Sequence, residues 1–233
     1  FRPPTLPLLV FTDLDGTLLD HHSYSFAAAL PALERLRKAS VPVIPVTSKT
    51  LAELAPLMRE LDNAHPCIAE NGGLIALPPG YFDALDGYPL QEGYRVIELS
   101  SGYEDILHTA RRLRAEHQYQ FRGFSDMSDA EVAACTGLSV AAATRARRRR
   151  CSEPLQWLDT AAAFAQFRQA VETAHAGTDR VHRTSAQEGD QVVAHEASLA
   201  GTDAVAAQFE AFEGGRADIA VVVPQPAHLG RCF

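Results

Sequence analysis

Two aspartates lie two residues apart near the start of the sequence, in the stretch Phe11-Thr-Asp-Leu-Asp-Gly-Thr-Leu18. The apolar residues 8–11 are typical of a strand buried on both faces of a parallel sheet. Because ligands of open α/β sheets bind at the carboxyl ends of the strands, Asp13 and Asp15 are candidates for two kinds of chemistry. Their oxygens suit a hard cation such as Mg²⁺, and a carboxylate can attack phosphorus. A solvated turn after the strand is the alternative interpretation.

Three strands and two helices are predicted before residue 86. Apolar residues recur at helical spacing over residues 26–39, and residues 41–46 form a second β-branched run. The prolines of that run favour a position at the edge of a sheet or at the ends of the strand. Thr50-Leu-Ala-Glu53 has the form of a capping box, so a second helix is predicted to begin there. Cys67–Ala69 is the third predicted strand. This β-α-β-α-β order predicts an α/β fold with a doubly wound, Rossmann-like parallel sheet.

From residue 86 onwards, glycine and proline interrupt the sequence at short intervals, at Gly87, Pro89, Gly93 and Gly102. A strand is predicted over residues 94–99 and another over residues 218–223, while residues 177–200 show no clear period. Four helices are predicted between these two strands. One is marked by apolar residues at 106–113, and the other three are capped by Ser128, Ser139 and Thr160. We therefore predict a core domain of residues 1–85 and 176–233, with residues 86–175 inserted as an α/β cap domain.

The composition excludes several classes of protein. The 233 residues are 46% hydrophobic and 21% charged, which are values of an ordinary globular chain and not of a disordered or fibrous one. A formal net charge of −8 argues against general nucleic-acid binding, because such proteins are basic. No apolar run approaches the roughly 20 residues that cross a bilayer. We expect a small-molecule partner, with neither nucleic acid nor membrane, and the sequence predicts no particular oligomeric state.

The four cysteines are Cys67, Cys135, Cys151 and Cys232, and none belongs to a C-x-x-C pair. Their spacing suggests neither a zinc site nor a disulfide framework. Free thiols without a recognisable signal peptide fit a reducing compartment, so we predict a cytoplasmic location. The first residue is Phe1 and not Met, which makes the N-terminus a candidate for truncation.

The string D-L-D-G-T after the first predicted strand resembles the first motif of the haloacid dehalogenase-type phosphatases. That resemblance implies that Asp13 is the nucleophile and Asp15 the general acid and base. It also implies a Mg²⁺ site that includes Asp13 and Asp15, the latter through its backbone carbonyl. The expected reaction is phosphoryl transfer through an aspartyl phosphate.

The second motif of that family is a Thr or Ser at the end of the second strand, where this chain has Val46-Thr-Ser-Lys49. Thr47 and Ser48 are the predicted hydroxyl contacts to phosphate, and Lys49 adds a compact positive charge. The alternative is that the hydroxyls only end the strand. Asn71, in Glu70-Asn-Gly-Gly73, is either a substrate contact or part of a plain turn.

These strings together are similar to the mannosyl-3-phosphoglycerate phosphatase branch of the family. The stretches Gly123-Phe-Ser-Asp-Met-Ser128 and Ser152-Glu-Pro154 in the insert agree with it. The resemblance implies hydrolysis of mannosyl-3-phosphoglycerate to mannosylglycerate, with Mg²⁺ and an α/β cap over the site. A broader or different sugar-phosphate phosphatase is the alternative within the same chemistry.

The chain departs from the family pattern after the insert. The family has a lysine there, whereas both lysines of this chain, Lys38 and Lys49, precede the insert. Arg180 and Arg183 are the candidate replacements, although Arg and Lys are not interchangeable. The Gly-Asp motif that completes the Mg²⁺ site is also missing. Asp203 is the tentative third metal ligand, ahead of Asp190.

Two interpretations of this departure stay open. Either the chain is a diverged, catalytically impaired phosphosugar-binding protein, or a frameshift or deletion has altered residues 177–215.

A dense basic run consists of Arg145 and the four arginines at 147–150. Cations at the end of a helix are favoured by its dipole, which is the structural interpretation. The functional alternative is a surface that grips an anionic group of the substrate. Nucleic-acid binding is a third interpretation, which the overall acidic charge disfavours.

Overall fold

Two short parallel strands and their connecting helix begin the fold. This computed structural model describes residues 8–20, 23–85, 87–100, 102–185 and 219–222. In it, β1 (Val10–Thr12) pairs in parallel with β2 (Val43–Pro45), and Val10 lies opposite Val43. Helix α1 (Leu30–Lys38) connects them. An isolated parallel bridge joins Val46, after β2, to Ile68 of β3 (Cys67–Ala69). This confirms the predicted α/β fold with parallel strands.

Helix α2 (Leu51–Glu60) lies between β2 and β3 and buries one face. The side chains of Leu51, Leu54 and Met58, spaced at helical intervals, are almost fully buried. The helix begins at the predicted capping box, in which Thr50 Oγ1 accepts the backbone N–H of Glu53 at 3.2 Å. Helix α1, by contrast, has no buried side chain within the described part of the chain.

Beyond β3 the chain folds back into an antiparallel sheet that the sequence analysis found only in part. Strands β4 (Leu74–Leu77), β5 (Leu90–Gln91) and β6 (Tyr94–Glu98) join β3 in the order β3-β4-β6-β5. The turn between β5 and β6 has positive φ at Glu92 and Gly93, as a two-residue hairpin requires. Strand β6 was predicted, whereas β4 and β5 were not, because runs this short have no decisive period.

The chain divides into two compact units. The first contains the residues up to Leu99 together with Thr144–Arg150, and the second contains Ser100–Ala143 together with the residues from Cys151 onwards. The predicted division into 1–85 with 176–233, and 86–175 as a cap, stays a prediction, because most of residues 176–233 lie outside the described ranges.

The second unit is built from α-helices and one antiparallel sheet. Its strands β7 (Phe121–Gly123), β8 (Glu153–Trp157) and β9 (Ile219–Val222) follow the spatial order β7-β8-β9. Its four helices are α3 (Tyr103–His117), α4 (Asp129–Thr136), α5 (Val140–Ala146) and α6 (Ala161–Ser185). The last residues of α5, from Thr144, belong to the first unit. A buried cluster forms the core, made of Leu113, Tyr119, Phe121, Leu155, Phe167 and Val171.

The predicted helix starts in this unit are confirmed by their caps. Ser128 accepts the N–H of Glu131, and Ser139 accepts that of Ala142 at 3.2 Å. Gly137 ends α4 at φ 79°, a conformation that glycine adopts without strain. Helix α6 extends to Ser185, into a stretch predicted to have no period. Strand β9 confirms the strand predicted at 218–223, and it pairs with β8.

Among the helices that the structure describes, even the longest lacks the apolar length that a bilayer-spanning helix needs.

Candidate functional site

The two motif aspartates follow β1 directly, as predicted. Asp13 is exposed, Asp15 is half-buried, and Leu14 between them is fully buried. The chain turns at once, since the N–H of Leu19 donates to the carbonyl of Leu14 at 2.7 Å, and Gly16 adopts φ 72°. A buried leucine in a tight turn thus holds both carboxylates at the carboxyl end of the strand.

The loop after β2 brings a positive charge to this pair. Lys49 Nζ lies 2.5 Å from Oδ2 of Asp15, with side-chain exposures of 22% and 32%. Thr47 is buried, and its hydroxyl accepts the backbone N–H of Lys49 at 3.3 Å. The sequence predicts that Lys49 contacts phosphate. The structure pairs it with a motif carboxylate, which brings two of the predicted site residues together.

The second oxygen of Asp15 has an unusual environment. Oδ1 is buried, and within the described ranges no hydrogen-bond partner reaches it. A buried carboxylate oxygen without a partner is costly, so such atoms usually accept a proton or bind a cation. The exposed carboxylate of Asp13, two residues earlier, and the backbone carbonyl of Asp15 are oxygens of the type that Mg²⁺ prefers. The residues therefore fit a divalent cation, although the described residues contain no cluster of three metal-ligating side chains.

The loop after β3 is hydrogen-bonded to the loop after β2. Glu70, Asn71 and Gly72 all have positive φ, at 51°, 56° and 92°. This backbone conformation lets the N–H of Glu70 donate to the carbonyl of Lys49 and the N–H of Asn71 to that of Thr47, each at 3.0 Å. Left-handed backbone at two successive non-glycine residues is strained and is found most often at functional sites. Asn71 is half-buried, which leaves its predicted substrate contact a prediction.

An aromatic residue that the sequence analysis missed lies beside Lys49. The Lys49 ammonium is 5.7 Å from the centre of the Tyr24 ring, within the range of a cation–π interaction. Tyr24 is 52% exposed and has φ 54°, which is rare for so bulky a residue. No local pattern marks this tyrosine, because its relation to Lys49 arises only when the loops after β1 and β2 meet.

The tentative third metal ligand cannot be placed by this structure. Asp203 lies outside the described residues, as does Asp190. Arg180 and Arg183 lie on the described backbone of α6, but their side chains lie outside the described part. The predicted roles of these four residues therefore stay predictions.

A second buried carboxylate belongs to the interior of the second unit. Glu153 is 1% exposed. It accepts the hydroxyl of Tyr103 at 2.6 Å and the N–H of Ser125 at 2.8 Å. The adjoining cavity of about 10 Å³ has room for no more than one water molecule. This carboxylate is therefore a structural element and not a ligand site.

One comparison bears directly on the motif residues. Residues 10–84 match the family of haloacid dehalogenase-like hydrolases. The matched segment runs from β1 past β4 and contains the aspartate pair and the loops after β2 and β3. It covers less than half of the chain, and the family resemblance noted from the motifs is confirmed over this segment.

Solved structures similar to this chain include two phosphatases. One is a phosphatase of the haloalkanoate superfamily from Bacteroides thetaiotaomicron, at 13% identity and a TM-score of 0.45, with 67% of this chain and 58% of that chain covered. Another is a protein from Thermoplasma acidophilum, at 15% identity and a TM-score of 0.47, with 73% and 59% covered. A third is a subclass IIB sugar phosphatase, at 12% identity and a TM-score of 0.42, with 64% and 58% covered.

This chain therefore spans less than two thirds of the length of these structures.

Proposed function

We propose that this chain is a phosphoric monoester hydrolase that acts on a phosphorylated sugar through an aspartyl phosphate on Asp13. The observation that carries the proposal is the arrangement at the carboxyl end of β1. An exposed carboxylate at Asp13 is followed by a half-buried one at Asp15, which is paired with Lys49. The family match over residues 10–84 supports the same chemistry.

In the first step, a carboxylate oxygen of Asp13 attacks phosphorus and forms the acyl phosphate bond. The bond between phosphorus and the ester oxygen of the substrate breaks, and Asp15 donates a proton to that leaving oxygen. The exposure of Asp13 suits a nucleophile that must reach a ligand. Asp15 is paired with Lys49 through Oδ2, and its Oδ1, which has no hydrogen-bond partner within the described ranges, is the oxygen available to carry the proton.

In the second step, Asp15 accepts a proton from a water molecule whose oxygen attacks the same phosphorus. The acyl phosphate bond breaks, inorganic phosphate leaves, and the carboxylate of Asp13 is restored. Lys49 provides positive charge beside these groups throughout.

A divalent cation fits the donor set. Asp13, through its carboxylate, and Asp15, through its backbone carbonyl, would hold Mg²⁺, with Asp203 as the tentative third ligand. When bound, Mg²⁺ would offset the negative charge of the transferred phosphoryl group. Thr47, Ser48 and Lys49 are the proposed phosphate-binding residues, and Asn71 the proposed contact to the remainder of the substrate.

The substrate proposed in detail is mannosyl-3-phosphoglycerate, which yields mannosylglycerate and phosphate. Its support is the set of strings D-L-D-G-T, V-T-S-K and E-N-G-G in one chain. A different or broader sugar-phosphate substrate fits the same site.

A second candidate function is phosphosugar binding without turnover. It is favoured by the lack of any lysine after residue 49 in the sequence.

Phosphate release from a panel of phosphate esters, with and without Mg²⁺, tests these proposals. Asp13→Asn should lower kcat by about a thousandfold or more, since it removes the nucleophile and keeps the shape of the side chain. Asp83→Asn is the matched control, because Asp83 is exposed at the start of a short 3₁₀-helix outside the site. Circular dichroism should show that both variants remain folded.

Each outcome decides between the candidates. Retained activity in Asp13→Asn would refute the nucleophile assignment. Equal turnover of unrelated esters would reject the narrow substrate and leave the hydrolase. Binding of sugar phosphates by the wild-type protein without phosphate release would establish the second candidate instead.

A further inference from the structure

Three consecutive carbonyl groups in the loop after β2 each accept a hydrogen bond from a different donor. The outer two, of Thr47 and Lys49, accept backbone N–H groups of the Glu70–Gly72 turn, each at 3.0 Å. The middle one, of Ser48, accepts Nη1 of Arg149 at 2.7 Å. The half-buried middle carbonyl thus depends on a side chain 101 residues further along the chain.

The guanidinium of Arg149 is held in place by its own segment. Its Nε donates to the carbonyl of Ala146 at 2.9 Å, while Nη1 donates to that of Ser48. Because the guanidinium is a rigid plane, fixing one N–H direction also fixes the other. The side chain is therefore oriented before it meets the loop.

The Thr144–Arg150 segment belongs to the first unit and is hydrogen-bonded to other residues of that unit. Thr50 Oγ1 donates to the carbonyl of Arg145 at 3.0 Å. Glu70, which is fully buried, accepts the N–H of Arg150 through both carboxylate oxygens, at 3.1 and 3.2 Å. Glu98 binds the Arg150 side chain at 2.5 Å. The segment is thus attached at both of its ends, with Arg149 adjacent to one of them.

We propose that Arg149 is a positioning residue that acts through Lys49. By donating to the carbonyl of Ser48, it fixes the loop so that the next residue, Lys49, stays paired with Asp15. Without this donor, a half-buried carbonyl must turn to find another partner, and the lysine beside it turns with the backbone. The consequence for turnover rests on the proposed phosphatase function, whereas the positioning itself is a property of the folded chain.

A direct role of Arg149 in binding a substrate anion is the competing interpretation of the basic run. The two roles differ in what happens to Lys49. A positioning residue changes the environment of the lysine in the absence of any substrate, whereas a residue that only binds substrate leaves the lysine unchanged.

The lysine content of the chain allows a direct measurement. Lys38 and Lys49 are the only lysines in the sequence, and Lys38 lies exposed on α1. Limited acetylation with acetic anhydride, read out by peptide mass spectrometry, gives the rate at Lys49 relative to that at Lys38. The comparison uses the wild-type protein, Arg149→Ala and a matched control, Arg148→Ala. Within the described residues, the Arg148 side chain forms an ion pair with exposed Glu92, at 3.2 Å.

In Arg149→Ala the acetylation ratio should rise about fivefold, the factor that corresponds to losing one hydrogen bond. It should stay at the wild-type value in Arg148→Ala. Arg149→Lys, which keeps the charge but not the planar fork, should give an intermediate ratio. This variant decides the question if Arg149→Ala loses its cooperative thermal transition. An unchanged ratio in a folded Arg149 variant overturns the proposal.

Kinetics with a substrate that the wild-type protein hydrolyses separate the two roles. Arg149→Ala should lower kcat about tenfold and raise KM by a smaller factor, because the displaced Lys49 charge stabilises the transition state more strongly than the bound substrate. A rise in KM with an unchanged kcat and acetylation ratio would assign Arg149 to the substrate and overturn positioning. A wild-type protein without turnover would refute the proposed hydrolase, and the acetylation ratio would still decide the role of Arg149.

Discussion

The ammonium group of Lys49 lies 2.5 Å from the carboxylate of Asp15, a residue 34 positions earlier in the chain. Both side chains are partly exposed, so water and salt screen the attraction between them. The contact therefore matters more for placing charge beside the proposed general acid and base than for stabilising the fold. It leaves one oxygen of Asp15 occupied and the other, within the described ranges, without a partner.

Replacing Lys49 with methionine tests the functional importance of this charge. We expect Lys49→Met to lower kcat on the order of a hundredfold, because a preorganised cation beside developing negative charge is lost. Steady-state phosphate release measures the effect. Lys38→Met removes the other lysine, on exposed α1, and should behave as wild type. Equal activity of the two variants would remove Lys49 from the proposed site.

The left-handed backbone at Asn71 allows its effect on stability to be measured separately from its effect on substrate binding. Its φ of 56° is tolerated by asparagine and glycine but disfavoured for alanine. Asn71→Ala should therefore lower the free energy of unfolding by about 1 kcal/mol, whereas Asn71→Gly should not, since glycine pays no Cβ penalty. Urea denaturation measures this difference.

The same two variants test the predicted substrate contact of Asn71. Both lack the side-chain amide, so both should raise KM by about five- to tenfold, the effect of losing one hydrogen bond to substrate. An unchanged KM in Asn71→Gly would assign the residue to the turn alone.

Burial raises the pKa of the Cys67 thiol from 9.0 to about 12. The unfolded chain therefore ionises this thiol at a lower pH than the folded chain does. The contribution of this thiol to the free energy of unfolding is fully present below pH 9 and is lost as the pH rises towards 12. The loss should be about 1.4 kcal/mol per pH unit within that window.

Cys67→Ala provides the control for this pH dependence. Urea unfolding at pH 8, 9 and 10 should show a steeper loss of stability in the wild-type protein than in the variant. Burial also raises the pKa of Tyr94 above its ordinary value of 10.0, so this residue contributes to the loss only above pH 10, in both proteins. Equal slopes below pH 10 would contradict the assignment to Cys67.

Gly123 should be intolerant of any side chain. A Cβ at this position would overlap Oε1 of the buried Glu153 carboxylate. Gly123→Ala should therefore lower the free energy of unfolding by about 1–3 kcal/mol, as overpacking does in a close-packed interior. Gly87→Ala is the matched control, since a Cβ there would meet nothing within 4 Å. A Gly123→Ala protein as stable as Gly87→Ala would show that the carboxylate relaxes without cost.

Much of the local structure follows from the sequence because its signals are local. The capping box at Thr50 needs only residues three apart, and it forms as predicted. Strand β4 was missed because four apolar residues have no distinctive period and owe their strand conformation to β3 and β6 on either side. Helix α6 continues into a polar stretch because extending an existing helix adds one hydrogen bond per residue.

The sequence by itself determined the chemical identity of the candidate site, since D-L-D-G-T places two carboxylates immediately after a strand. Only the tertiary structure decided that Lys49 faces Asp15 and that Arg149 donates to Ser48. These contacts join residues 34 and 101 positions apart. No local pattern encodes such distances. The contact between Lys49 and Asp15 depends on parallel strands that bring the loops after β1 and β2 to one edge of the sheet. The contact between Arg149 and Ser48 depends on the hydrogen bonds that attach the Thr144–Arg150 segment to the first unit.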